Sequence, residues 1–376
     1  MGRSWQTQRL DGMDLKFCAA ASGMRWTAVG MAGDDKSRQR YGLAEHNFAV
    51  GSGFEKEDVP DEEKMKLRTA AVVGGFLSVA MISGYLARAG SKDESGRMRV
   101  DGRERTYVVH VPPSYDRAKT VPLLLALHGR LGTGEGQEKL GHLDKVSDEH
   151  GFLVVYPDGL NRSWADGREA TPSDRHDVDD VKFLSALIDK MEGEYKVDAS
   201  RVYATGMSNG GFMSGRLACD LTKRLAGVAI VGASLSVNVA ERCNPAKPIS
   251  VLVLQGTKDP LVPFGGGELG HGRGGSVLSH DAAVKKFVEL DQCSGQPRRK
   301  HIPDNAEDGT TIDVAMYQSC AGGSEVAGYV VNGGGHTWPG GMPYLPEGII
   351  GKTSRNLDAG EVIWEFLSRH GRGGGA

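Results

Sequence analysis

The chain has 376 residues, 39% of them hydrophobic, which is enough for one large domain with a buried core plus something extra. The formal net charge is −3, so composition points neither to a nucleic-acid partner nor to an acidic one. The 54 glycines gather in clusters at 265–267, 333–335 and 373–375, a pattern of long loops and a loose tail at 371–376.

Residues 1–64 show no period of 2 or 3.6 and carry charged runs at 55–58 and 61–64. The composition then changes. Met65 and two basic residues precede an uncharged, mostly apolar run at 69–86, and Ala87-Arg88-Ala89 follows. A basic flank, an apolar core and an A-x-A site make up a secretory signal peptide. We therefore read 65–89 as the signal, Met65 as the true start, and 1–64 as a non-native or disordered leader. A membrane anchor is the alternative, since the run is near the lower limit of a span; a buried helix is a third reading. Of the five cysteines, Cys18 lies in the leader. Cys219, Cys243, Cys293 and Cys320 lie in the main domain, and an even number in an exported chain suggests disulfides. Pairing sequence neighbours, 219 with 243 and 293 with 320, closes one loop each. There is no C-x-x-C to suggest a metal.

From residue 90 to 370 the chain alternates strands and helices. Residues 103–111 alternate as a strand. Residues 121–127 and 151–156 are apolar throughout, as strands buried on both faces of a parallel sheet are. Helices are expected at 137–150 and at 178–195, where Val181, Leu184, Leu187, Ile188 and Met191 keep helical spacing. Strand 201–205 leads to a helix at 212–219. Further strands fall at 227–231, 249–254, 313–317 and 326–331, with helices at 281–290 and 357–370. This order predicts an α/β fold, a doubly wound and mostly parallel sheet with its active groups at the strands' C-terminal ends.

Three strand ends carry chemistry. Gly206-Met207-Ser208-Asn209-Gly210 sits between a strand and a helix, the setting in which Gly-x-Ser-x-Gly forms a nucleophile elbow. Asp259 follows the strand at 249–254, and His336 lies in a glycine-rich loop after the strand at 326–331. A serine hydroxyl needs an imidazole to take its proton, and the imidazolium needs a fixed carboxylate. The order Ser208, Asp259, His336 is that of an α/β-hydrolase triad. The amides of Asn209 and Arg130 are the expected oxyanion donors. Among the other histidines, His128 is expected to be structural, and His271, His280 and His301 to face solvent. Asp179-Asp180 opens a helix and is read as capping rather than as a metal pair. Trp338 and Trp164 are candidate substrate-binding aromatics, suited to a sugar ring or a phenolic acid; packing under a loop is the other reading of Trp164.

His128-Gly129, Tyr156-Pro157-Asp158-Gly159, Asp179-Asp180-Val181, Gly206-Met207-Ser208-Asn209-Gly210-Gly211, Gly256-Thr257-Lys258-Asp259 and Gly335-His336-Thr337-Trp338-Pro339-Gly340 occur in order over 97–370. Together they resemble secreted esterases of the polyhydroxybutyrate depolymerase and feruloyl/acetylxylan esterase group, the family 1 carbohydrate esterases. The resemblance implies an α/β-hydrolase fold in a single catalytic domain, a Ser-His-Asp triad, no cofactor, no metal, export and paired cysteines. Arg130 departs from the small residue or cysteine that members often carry after His-Gly. The absence of a linker and surface-binding domain favours soluble or oligomeric esters over crystalline polymer. The expected activity is ester hydrolysis by a monomer that binds an ester substrate, binds no nucleic acid and has no stable membrane association once the signal is cleaved. A serine peptidase of the same fold and a non-enzymatic exported binding protein are the other classes; the first lacks a visible propeller or lid domain, and the complete triad argues against the second.

Overall fold

The structure is a computed structural model that describes residues 91–270 and 273–372, together with the backbone of 5–10 and 13–18. The expected signal at 65–89 and His271 lie outside the described residues, as does most of 1–64. The chain divides into two units, Met1–Gly74 and Gly75–Ala376. In the first, strands β1 (Trp5–Leu10) and β2 (Met13–Cys18) pair antiparallel.

The second unit is built on a ten-stranded sheet. Its strands are β3 (Lys92–Val100), β4 (Arg103–Val111), β5 (Val121–Leu127), β6 (Leu153–Pro157), β7 (Val197–Met207), β8 (Gly227–Val231) and β9 (Ser250–Gly256). A small pair, β10 (Gly267–Glu268) and β11 (Ser276–Val277), stands apart from it. The sheet is completed by β12 (Arg298–Ile302), β13 (Thr311–Tyr317) and β14 (Val326–Asn332). The spatial order is β12-β13-β14-β9-β8-β7-β5-β6-β4-β3. The six strands from β14 to β6 run parallel, and antiparallel strands flank them on both sides. The crossing of β5 and β6, the parallel centre and the helices on both faces make this an α/β-hydrolase fold.

The central strands are apolar throughout because both of their faces are covered. Leu123, Leu125, Leu127, Val228, Ile230, Val251 and Val253 join one core. The residues between them, Leu124, Ala126, Ala229, Val231, Leu252 and Leu254, join the other. This is the period of two expected of extended backbone. The first core is closed by α4 (Asp180–Glu194), α5 (Asn209–Asp220) and α7 (His280–Leu290). The second is closed by α2 (Leu143–His150) and α9 (Ala359–Leu367). Shorter helices are α1 (Gly134–Gly141), α3 (Pro172–Arg175), α6 (Val237–Arg242) and α8 (Glu347–Ile350). Among the described residues, no helix is long and apolar enough to cross a membrane.

Several expectations are corrected. The helix at 137–150 is two helices, broken where His142 takes a left-handed conformation with φ 51°. Strands β3 and β12 are polar edge strands without an apolar alternation to announce them. His280 does not face solvent: it is buried and stacks on Phe264 with ring centroids 5.1 Å apart. His301 is exposed, as expected, and bonds Asp313. Asp179 caps α4 by accepting from the Lys182 amide, but Asp180 instead forms a buried ion pair with Arg105 at 2.7 Å. The tail is held as far as Arg372, whose amide donates to the Ser200 carbonyl. Two disulfides join Cys219 to Cys243 and Cys293 to Cys320.

Candidate active site

Ser208 stands at the turn between β7 and α5 with φ 56° and ψ −117°, a region that non-glycine residues rarely enter. The amide of Ser208 donates to the Val231 carbonyl on β8, and its carbonyl starts α5 by accepting from Phe212. The turn is possible because its flanks are glycine. A Cβ on Gly210 would lie 2.1 Å from the Leu127 carbonyl oxygen, and one on Gly206 would lie 2.5 Å from Gly210.

Asp259 and His336 come from the loops after β9 and β14, which are neighbours in the sheet. Hydrogen bonds stitch these loops together. The Lys258 amide donates to the Gly334 carbonyl, and the Gly333 amide to the Thr257 hydroxyl. Asp259 Oδ1 accepts from the amides of Leu261 and Val262, both at 2.8 Å, and Oδ2 meets His336 Nδ1 at 2.7 Å. Both side chains are buried. A carboxylate offers only acceptors, so Nδ1 carries the proton and the lone pair of a neutral ring sits on Nε2. The His336 loop is further fixed by its amide on the Ile350 carbonyl and by the Tyr344 hydroxyl donating to its own carbonyl.

Ser208 and His336 line one cavity of about 680 Å³. No hydrogen bond joins Ser208 Oγ to His336 among the described residues; such contacts often tighten only when substrate is bound. Gly129 stands beside Ser208: a Cβ there would lie 3.6 Å from the serine Cβ. The amides of Arg130 and Asn209 flank this point, and neither has an acceptor among the described residues. The geometry thus gives a hydroxyl, an oriented imidazole and two unpaired N–H groups around one cavity.

His128 has the structural role expected of it. Its Nε2 accepts from the Gly159 amide and its Nδ1 donates to the Gly129 carbonyl. Burial holds the ring below its ordinary pKa, so it remains neutral while it fixes the loop that carries Arg130. Trp164 and Trp338 do not line the cavity. Trp164 is fully buried, with Nε1 donating to the His128 carbonyl, and Trp338 is buried against Gly141 and Gly341. Both indoles are buried away from the cavity lining, against the expectation that they contact substrate.

The sequence did not reveal Asp166 and Arg168, which lie in the loop between β6 and α4. The Asn209 side chain accepts from the Trp164 amide and donates to Asp166 Oδ2 at 2.5 Å. Asp166 is fully buried and also binds Arg168, a residue that lines the cavity. Charged residues in a long loop normally read as solvated. The one available signal was Asn209 itself, an amide at a helix start in need of partners. The cavity mouth is apolar: Leu131, Leu261, Tyr344 and Leu345 line it while remaining 66%, 47%, 41% and 44% exposed.

No family model matches the chain. Among curated relatives, "Putative esterase NocK" of Nocardia uniformis is 34% identical over 279 residues, covering 71% of this chain and 80% of the relative. "Probable feruloyl esterase C" of Aspergillus terreus is 29% identical over 314 residues, 81% of this chain and 97% of the relative. "Feruloyl esterase B" of Piromyces equi is 29% identical over 240 residues, but the chain spans only 42% of that protein's length. Among solved structures, an acetyl xylan esterase from Aspergillus awamori superposes with a TM-score of 0.47 at 14% identity, over 65% of this chain and 94% of that one.

Proposed function

The chain belongs to the esterase family of these Nocardia and Aspergillus relatives, within the α/β-hydrolases, and from that premise we propose that it is a secreted serine esterase acting through an acyl-enzyme. The observation that carries this reading is the 2.7 Å bond from Asp259 to His336 Nδ1, in a cavity that also holds Ser208 at its strained turn. Ser208 Oγ attacks the ester carbonyl as His336 Nε2 takes its proton. The oxyanion is held by the Arg130 and Asn209 amides, aided by the start of α5. The imidazolium, stabilised by Asp259, gives its proton to the departing alcohol. Water then repeats the sequence and releases the acid.

Two disulfides support export to an oxidising compartment. The names of the relatives support feruloyl esters as substrates. Short hydroxybutyrate oligomers suit the same chemistry. Hydrolysis of a short p-nitrophenyl ester by the wild type and by Ser208→Ala tests the proposal. A complete loss of turnover in the variant is expected; equal rates would overturn it.

A further inference from the structure

The cavity carries a charge pattern that ester hydrolysis does not require. Among its described lining residues there is no aspartate and no glutamate, but there are two arginines, Arg130 and Arg168. This is notable in a chain whose formal net charge is −3. The two guanidinium groups are held differently. Arg168 is 10% exposed and fixed on three sides. Its Nε and Nη2 bind Asp166, its Nη1 faces the Gly274 carbonyl at 3.4 Å, and its plane lies over the Phe212 ring at 4.2 Å. A guanidinium has five N–H donors. Three are engaged here, which leaves two without a partner among the described residues. Arg130 is exposed and is paired with no carboxylate among the described residues.

Asp166 balances Arg168, and Asp259 is held behind His336, so the charged groups left at the lining are Arg130 and the unengaged donors of Arg168. Asp166 also holds the Asn209 side chain, so Arg168 is one carboxylate away from the residue that follows Ser208. Away from Ser208, Asn209, His336, His128 and Gln137, the wall is mostly apolar, through Leu131, Leu140, Leu261 and Leu269. A mostly apolar cavity with a fixed guanidinium and no acid among its described lining residues fits an aliphatic or aromatic molecule that carries a carboxylate.

We infer that Arg168 and Arg130 select esters bearing a free carboxylate, on the acid half or the alcohol half of the molecule. This rests on the esterase reading above and narrows its substrate class. A linear oligoester of a hydroxy acid has such a carboxylate at its end. A feruloyl ester of a neutral sugar does not.

The test uses matched pairs of esters. On the acyl side, the mono-p-nitrophenyl ester of glutaric acid is compared with p-nitrophenyl valerate. On the alcohol side, the butyrate ester of β-hydroxybutyric acid is compared with the methyl ester of that compound. The measured quantity is the ratio of kcat/KM for the anionic member to that for the neutral one. In the wild type this ratio exceeds one for at least one pair, and KM for that anionic ester rises with salt. In Arg168→Gln and in Arg130→Gln the ratio falls by about ten- to a hundred-fold, the size of a lost charged hydrogen bond. Arg168→Lys restores part of it. A wild-type ratio at or below one in both pairs, or a ratio unchanged in both glutamine variants, overturns the inference.

If Arg168→Gln does not fold because Asp166 loses its partner, Arg130→Gln and the salt dependence still decide. Failure of the esterase reading shows differently, as no hydrolysis of either member. Binding then decides: calorimetry on Ser208→Ala compares hexanoate with hexanamide. Tighter hexanoate supports the anion site and equal affinity overturns it.

Discussion

Asp259 Oδ2 and His336 Nδ1 lie 2.7 Å apart although 77 residues separate them in sequence. The contact is possible because β9 and β14 are adjacent parallel strands that end at the same edge of the sheet. It fixes which ring nitrogen faces the cavity. Asp259→Asn replaces an acceptor with an amide that can donate, so the ring turns to the other tautomer. We expect kcat on a p-nitrophenyl ester to fall by about ten-thousand-fold while KM changes little. A loss of less than tenfold would show that Asp259 does not orient the base.

The buried indole of Trp164 makes a second expectation. Trp164→Ala removes a fully buried side chain and its bond to the His128 carbonyl. The cost is about 3–5 kcal/mol, read as a lower urea midpoint. An indole that contacted substrate would instead raise KM and leave the midpoint unchanged.

Gly210→Ala places a methyl group 2.1 Å from the Leu127 carbonyl oxygen, which is backbone and cannot swing aside. The expected cost exceeds about 4 kcal/mol, seen as lost soluble expression or a collapsed thermal transition. Ser208→Ala should fold normally. If both variants are equally stable, the close approach of β5 and α5 is not what sets the turn.

His280 adds a pH dependence. Burial pushes its pKa from 6.5 down to about 4. The unfolded chain therefore takes up a proton below pH 6.5 and the folded one does not until about pH 4. Its contribution to stability is present above pH 6.5 and is lost between pH 6.5 and pH 4, by up to about 3 kcal/mol. His280→Leu should flatten the stability curve in that window, as measured by denaturation at several pH values. An unchanged slope would place the ring in water.

The disulfides close loops with sequence separations of 24 and 27 residues. Replacing either pair with alanines should cost roughly 3 kcal/mol, read as a lower melting temperature. Reducing agent should produce about the sum of the two shifts in the wild type and about one of them in each variant. No effect of reduction would mean the bridges are not formed in solution.

Much of this architecture was legible because burial on both faces leaves an unbroken apolar run. That is why β5, β8 and β14 were found within a residue or two of their ends. Strands β3 and β12 escaped because an edge strand keeps charged side chains, and Lys92-Asp93-Glu94 or Arg298-Arg299-Lys300 reads as a linker. At the site, Ser208, Asp259 and His336 were readable because each must follow a strand end. Trp164, His280, Asp166 and Arg168 were not. Their environments are made by loops that meet only in three dimensions, and local pattern cannot say whether an indole or a charged group on such a loop meets water or protein.

The proposed triad is gathered from β7, β9 and β14, and β14 is the last strand of the sheet to leave the ribosome. A growing chain that has passed β9 and its following loop holds its serine and its acid, but the imidazole has not yet been synthesised. During synthesis, hydrolytic competence therefore arrives only once the chain has passed the final strand and reached His336.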